Sequence, residues 1–301
     1  MSITKLDQIL DAVKSKPKKR LIAAYANDAH TIEAVTNAVL DGIIDAILVG
    51  DEATIRKVCK EHNFNPDAFK IVQEADEVKA AAKAVELINN GEGDILMKGL
   101  VTTDKYMRAL LHKEKGLMDY GAILSHVTVI ENAAYPKLLI IGDVAILPAP
   151  EIKEKIAITN YLIDVAHVLG IECPKVALIS ATEQMSYGIK SCVDAAIISK
   201  MADRGQIKGA IVDGPMALDV AIDMESAEIK KLKSPVAGDA DCLMFPNIES
   251  GNVFYKAHTK LCGGELAALV CGARVPAVLS SRGDSAKTKL YSIALAALAV
   301  K

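Results

Sequence analysis

Two turns in this chain gather residue types that hold anions. The first, KGLVTTDKYMR at 98–108, joins an apolar run to a helical period. Gly99 allows a tight turn, and Thr102 or Thr103 can cap the helix that follows. Unpaired amides at a helix start attract a negative group, and Lys98 and Arg108 could clamp it. The same residues have a plainer reading: Thr103 is a simple N-cap, and Arg108 pairs with Asp104 four residues earlier on one face. The second turn, SSRGDSAKTK at 280–289, repeats the plan. Gly283 turns the chain, Asp284 or Ser285 can cap a helix, Arg282 offers a planar fork for phosphate, and Ser280 or Ser281 offers a hydroxyl. A capped helix with a surface arginine is the alternative there.

Three further turns carry polar groups next to apolar runs. SHV at 125–127 supplies Ser125 and His126, VDGPMALD at 212–219 supplies Asp213 and Pro215, and FPNIESGN at 245–252 supplies Asn247, Glu249, Gly251 and Asn252. Each is a candidate substrate contact, and each could equally be a well-made turn. Ser125 and His126 are neighbours in a strand-like run, so their side chains point to opposite faces and do not form a dyad with each other. GxxxxGK[ST] and GxGxxG are both absent, which argues against nucleoside triphosphate hydrolysis and a dinucleotide fingerprint. No GxSxG elbow, CxxC pair or HExxH spacing occurs, so nucleophile-elbow and zinc chemistry lack support.

The elements that must position these turns are legible as an alternation. RLIAAYA, DAILVG, GDILMKG, SHVTVIE and KLLIIGD read as strands, with TIEAVTNAVLDG, DEATIRKVCKEH and EVKAAAKAVELINNG as helices between the early ones. Asp28 and Asp51 mark helix starts. After LPAPEIKEK a long helix leads into a second series, with strands KVALIS, GAIVDG, DCLMFP and PAVLSS and a final alanine- and leucine-rich helix. Strands separated by helices imply crossovers and mainly parallel sheets. The expected fold class is α/β in two sheet-and-helix domains, with a break near Pro148. Ligands of open parallel sheets bind outside the carboxyl ends of the strands, which is where the five turns lie.

Bulk properties exclude several classes. The net charge of −3 and the lack of tryptophan leave no basic stripe or stacking platform for nucleic acid. No apolar run reaches the roughly 18 residues of a membrane span. The opening MSITKLDQILDAVKSK reads as an amphipathic helix with acids in it, not as a signal peptide. The six cysteines are scattered and read as reduced thiols packed in the interior. These features fit a cytoplasmic protein with no nucleic-acid or membrane partner and no bound metal.

Taken together, MKGLVTTDKYMRALL, LSHVTVIE, VDGPMALDVAI, VAGDADCLMFPNIESGNVFYK and VPAVLSSRGDSAKTKLYSIALA resemble the phosphate acetyltransferase/phosphate butyryltransferase family, and the butyryltransferase branch most closely. The likeness runs in order from DAILVGD to the terminal helix. It implies reversible acyl transfer between coenzyme A and inorganic phosphate, through a direct ternary complex, with acyl-CoA, phosphate and acyl phosphate as substrates and no tightly bound cofactor. It also implies a fold akin to the isocitrate/isopropylmalate dehydrogenases, with the active site in the interdomain cleft. Residues 1–148 with 282–301 would form the first domain, and 149–281 the second, dimerising domain. A homodimer or higher homo-oligomer, and metabolic coupling to an acyl kinase, follow by the same likeness.

The resemblance assigns roles. Ser281, Arg282 and Asp284 would be catalytic. Lys98, Thr102, Thr103, Arg108 and Arg282 would bind phosphate. Ser125, His126, Asp213, Pro215, Asn247, Glu249, Gly251 and Asn252 would line the substrate and coenzyme A cleft. Some positions depart from the pattern: acetyl-specific relatives carry an acid where this chain has Thr288, and a common asparagine is replaced by Leu147. Three alternatives stand beside the main reading. One is acetyl or other short-chain specificity. Another is an NAD- and metal-dependent decarboxylating dehydrogenase using Asp213, Asp219 and Asp241. The last is a non-catalytic sensor of acyl phosphate or coenzyme A.

Overall fold

The computed structural model describes residues 2–280 and 284–301. From the N-terminus the elements run α1 (Leu6–Lys14), β1 (Lys19–Ala24), α2 (Ala29–Leu40), β2 (Ile44–Gly50), α3 (Glu52–Glu61), β3 (Lys70–Gln73), α4 (Glu77–Asn89), β4 (Ile95–Lys98) and α5 (Thr103–Leu110). Next come β5 (Ser125–Glu131), β6 (Leu139–Gly142), α6 (Ile152–Val168), β7 (Lys175–Ile179), α7 (Lys190–Asp203) and β8 (Ile211–Met216). They are followed by α8 (Leu218–Ile222), α9 (Met224–Ile229), β9 (Cys242–Met244) and α10 (Ile248–Leu261). The chain closes with β10 (Glu265–Cys271), β11 (Ala277–Val278) and α11 (Ala286–Ala299).

The helix starts follow from capping chemistry. Asp28 accepts from the Thr31 amide at 2.9 Å and Asp51 from the Thr54 amide at 3.0 Å, each satisfying a donor that the first turn leaves unpaired. Asp76 does the same for α4 through the amides of Val78 and Lys79.

The chain divides into two compact units, one of Asp7–Ala122 with Ala267–Lys301 and the other of Ile123–Leu266 with the N-terminal residues up to Leu6. In the first unit the strand order is β3-β2-β1-β4-β11-β10. Pairing is parallel up to β11, and β10 runs antiparallel to it. In the second unit the order is β5-β6-β9-β7-β8, with β5 antiparallel to β6 and the rest parallel. The sheets are thus mainly parallel, as the alternation of strands and helices requires.

The partition falls earlier than the breaks expected at Pro148 and residue 282. β5 pairs with β6 and β6 pairs with β9, which commits residues 125–142 to the second sheet. β10 pairs with β11, and β11 lies beside β4, so the segment from Ala267 onward belongs with the first sheet. β3 and β10 were not among the expected strands. KIVQ is a short, poorly buried edge strand, and ELAALVC is rich in alanine and leucine, residues without strand preference.

Each sheet buries its own apolar set. Leu21, Ile22, Leu48, Ile95 and Leu96 are fully buried in the first, and Val127, Ile140, Val176 and Leu243 in the second. The second unit also buries an ion pair: Lys155 Nζ of α6 lies 2.6 Å from Asp194 of α7, with Lys190 at 2.8 Å from the same carboxylate. The cysteines are all free thiols, but only Cys59, Cys192 and Cys242 are buried; Cys173 and Cys262 are exposed, because they sit in loops and at a helix end. Among the described residues no helix is long and apolar enough to cross a membrane.

Candidate functional site

In the first unit, the carboxyl ends of β1, β4 and β11 lie side by side. Ala24 pairs with Lys98, and Val278 pairs with Met97. The turn after β4 is as tight as its sequence suggests: a Cβ on Gly99 would come within 2.5 Å of the Tyr25 carbonyl oxygen, so only glycine lets the chain pass there. Lys98 is 3% exposed and donates to the Gly99 carbonyl at 3.2 Å, which holds its ammonium at the strand end.

Helix α5 begins with Thr102 as N-cap residue, but the Thr102 side chain makes no capping bond. Its amide instead donates to Glu77 of α4 at 2.6 Å, and Lys105 binds the other oxygen of that carboxylate. The Lys105 hydrogen bond, with the Thr102 amide behind it, holds Glu77 below the usual carboxylate range. Thr103 is the first helical residue. Arg108 lies on the exposed face of α5, with its guanidinium 3.0 Å from Asp104, the i,i+4 pairing that the plainer reading described.

Near the start of α11 the helix is capped by Ser285, whose Oγ accepts from the Thr288 amide at 3.1 Å. Capping therefore falls to Ser285 and not to Asp284. Lys289, 4% exposed, donates to the Asp284 carbonyl at 3.1 Å. Burial pulls its pKa below the ordinary lysine value, while the carboxylates of Asp284 and Asp28 work the other way. Ser281, Arg282 and Gly283 lie outside the described residues.

In the second unit a different acid is the centre. Asp143, directly after β6, is 2% exposed. Its Oδ2 accepts from the Ser125 hydroxyl at 2.9 Å and from the His126 amide at 3.1 Å. Its Oδ1 accepts from the amides of Ala145 and Ile146 at 2.7 and 2.9 Å. The His126 ring turns to the other face and meets Thr128 Oγ1 at 3.2 Å, so Ser125 and His126 point apart as strand geometry demands. Sequence reasoning passed over Asp143. The available signal was an acid immediately after a strand-ending glycine, at the carboxyl end of a buried strand.

The FPNIESGN turn converges on the same place. Asn247 caps α10 by accepting from the Ser250 amide at 2.9 Å, Gly251 packs on the Asp143 backbone, and Asn252 donates to the Val144 carbonyl at 2.9 Å. Glu249 projects to the exposed side of α10. VDGPM lies within β8 and not in a turn; there Asp213 accepts from the Gly214 amide at 2.8 Å and Pro215 is buried. Asp219 pairs with Lys230 at 2.8 Å, and Asp241 with Lys137 at 2.7 Å, so the three aspartates considered for a metal each serve a separate local contact. Among the described residues no group of three or more His, Cys, Asp or Glu side chains could hold a metal ion.

A family model described as phosphate acetyl/butaryl transferase matches residues 5–82 and 72–297. The chain is 47% identical to a phosphate butyryltransferase of Clostridium acetobutylicum, over 98% of both proteins. It is 40% identical to a phosphate acetyltransferase of Thermotoga maritima, over 97% of this chain and 99% of that one. A crystal structure of a branched-chain phosphotransacylase from Enterococcus faecalis V583 superimposes with a TM-score of 0.81 at 30% identity, covering 94% of this chain and 99% of that one. A 4-hydroxythreonine-4-phosphate dehydrogenase from Klebsiella pneumoniae shares the fold alone, with a TM-score of 0.55 at 12% identity over 94% of this chain and 100% of its own. The fold is therefore of the dehydrogenase-like two-unit type, and the chain belongs to the phosphate acetyl/butyryl transferase family.

Proposed function

We propose that the protein catalyses reversible transfer of a short acyl group between coenzyme A and inorganic phosphate, with butanoyl or a similar straight or branched chain as the acyl group. The observation that carries this reading is the 47% identity to a phosphate butyryltransferase over nearly the whole chain. The cationic and hydroxyl groups at the strand ends of the first unit support it, since that chemistry suits an inorganic oxyanion.

In one direction a phosphate oxygen attacks the thioester carbonyl carbon. A C–O bond forms, the C–S bond breaks, and the coenzyme A thiolate leaves and takes up a proton. In the other direction the thiol gives up its proton and its sulfur attacks the acyl carbon of acyl phosphate; the C–S bond forms, the C–O bond breaks, and inorganic phosphate leaves. Both routes pass through a tetrahedral oxyanion that preorganised donors stabilise. Lys98, Thr102, Thr103, Arg108 and Arg282 hold phosphate in this scheme, and Ser281 donates to the oxyanion or the leaving group. Asp284 receives the thiol proton in this scheme, next to Ser285, the cap of α11. Arg108 must exchange Asp104 for phosphate to take part. Holding two anionic substrates in register supplies much of the rate by positioning. The protein acts as a homo-oligomer, and its acyl phosphate feeds an acyl kinase.

The test is release of free thiol from a series of acyl-CoAs of two to six carbons, with and without phosphate. Release that saturates with phosphate, with kcat/KM highest at four carbons or a branched chain, is the expected result. A maximum at two carbons would reassign the acyl group, since one methylene is worth about 1–3 kcal/mol of discrimination. Thiol release indifferent to phosphate would end the reading.

A further inference from the structure

The turn from β4 into α5 is held to its surroundings at both ends through its backbone. At its start the Gly99 amide donates to the Ala24 carbonyl at 2.9 Å and the Leu100 amide to the Tyr25 carbonyl at 2.8 Å, which pins it to the end of β1. Val101, next in line, is fully buried. At its end the Thr102 amide donates to Glu77 of α4 at 2.6 Å, and Lys105 closes on the second oxygen of the same carboxylate.

Helix α5 needs that outside partner because its own sequence breaks two local rules. Its N-cap residue contributes no side-chain oxygen. Its third position, where a capping box places an acid or glutamine that reaches back to the N-cap amide, is Lys105. An ammonium in the first turn also meets the positive end of the helix dipole. Neighbouring helices meet these needs themselves, α2 with Asp28, α3 with Asp51 and α4 with Asp76. At α5 the acceptor is borrowed: Glu77 takes the N-cap amide as a glutamate within the helix would, and its charge offsets Lys105. Glu77 is also the first residue of α4, so one carboxylate stands at the starts of two helices.

Because this tether uses the backbone of Thr102, the hydroxyl of that residue is not spent on capping. A bare carboxylate at the turn would repel an oxyanion, and the Lys105 ammonium cancels that charge. We propose that Glu77 is a positioning residue for acyl transfer: it fixes the Thr102 backbone and, with Lys105 as its counter-charge, presents the Thr102 hydroxyl to inorganic phosphate or acyl phosphate. Glu77 itself touches neither substrate. This role rests on the phosphate contacts given to the turn in the acyl-transfer reading.

The test measures initial rates with butanoyl-CoA across a phosphate titration for wild type, Glu77→Ala, Glu77→Gln and Lys105→Met, all in the full chain, with a melting curve for each. Alanine and glutamine remove the same charge and differ in the acceptor oxygen. Glu77→Ala should raise the phosphate KM about tenfold or more, because a displaced contact loses binding and rate steeply. Glu77→Gln keeps an oxygen for the Thr102 amide and should recover most of that loss, to within about twofold of wild type. Lys105→Met leaves the carboxylate uncompensated and should raise the phosphate KM about threefold, less so at high salt. The KM for butanoyl-CoA should stay within about twofold throughout, a split that loss of stability alone does not produce.

Equal phosphate KM values in Glu77→Ala and Glu77→Gln would overturn the role, since the acceptor oxygen would then do nothing. An unchanged phosphate KM in Lys105→Met would overturn it as well, even if Glu77→Ala failed to fold. So would KM values that rise for both substrates in step with a falling Tm, which would mark Glu77 as a stability contact. Each of these failures leaves the phosphate dependence of wild type in place. Thiol release indifferent to phosphate in wild type would instead end the acyl-transfer reading, and this role with it.

Discussion

Gly251 of α10 lies directly against the backbone of Asp143: a Cβ on Gly251 would stand 2.4 Å from the Asp143 carbonyl oxygen. The next residue, Asn252, bonds the Val144 carbonyl, while Ser125 and His126 hold the Asp143 carboxylate from the other side. The SHV, GDVA and FPNIESGN segments are thus parts of one anchored turn in the second unit.

Gly251→Ala should therefore reverse the usual rule for helices. Alanine ordinarily gains up to about 1 kcal/mol over glycine inside a helix. Here the added methyl must push α10 off the Asp143 turn, and overpacking of this kind costs about 1–3 kcal/mol. A urea unfolding curve with a lower midpoint and the same slope is the expected result; a higher midpoint would show that the helix can shift freely.

Asp143→Asn tests the anchor itself. The amide keeps one acceptor oxygen and turns the other into a donor, so it can serve Ser125 and His126 or the amides of Ala145 and Ile146, but not both pairs. The loss should be at least about 2 kcal/mol, against about 1 kcal/mol for Ser125→Ala, which removes a single bond. Chemical denaturation of the two variants side by side checks the ordering.

Much of the fold was legible because parallel α/β units write themselves in apolar runs and helical periods. Asp28 and Asp51 cap the helices that their positions announced. What escaped were elements without such a signature. KIVQ is a four-residue edge strand, and ELAALVC owes its strand state to pairing with a segment that carries no local cue for it. The break expected at Pro148 rests on a proline-rich turn that looks like a linker, whereas the compact units follow which strand pairs with which. At the candidate site the turn residues were legible, but their local uses were not. Asn247 and Gly251 looked like ligand contacts, and their types are equally those of a cap and a close helix approach. Asp143 went unnoticed because its four partners come from two separate segments.

Arg108 and Asp104 form an exposed pair whose role in phosphate binding can be read directly. Asp104→Ala should cost no more than about 0.5 kcal/mol of stability, as exposed i,i+4 pairs do. If Arg108 serves phosphate, the same change frees it and should lower the phosphate KM about threefold, while Arg108→Ala should raise it about tenfold or more. An unchanged phosphate KM in both variants would leave Arg108 as a helix-face residue only.

The buried pair of Lys155 and Asp194 carries a pH signature. Burial works to raise the Asp194 pKa, but the hydrogen bonds from Lys155 and Lys190 outweigh it, and the net direction is downward. A carboxylate with a depressed folded-state pKa contributes stability above its unfolded value, roughly pH 4, and that contribution is lost as pH falls through the lower folded value. Asp194→Asn should cost about 3–5 kcal/mol at neutral pH by leaving Lys155 uncompensated, and should flatten the fall of Tm below pH 4. A variant with the acid sensitivity of wild type would point to other carboxylates.

The return of residues 267–301 to the first unit also bears on how the protein is made. During synthesis the second unit can close once Leu266 has emerged, whereas the first waits with β4 paired to β1 alone. All four residues of that strand are buried in the finished molecule, so its open side is an apolar edge exposed in the nascent chain. Arrival of β11 seals it, which makes a premature stop after Leu266 a recipe for aggregation even though the second unit would by then be whole.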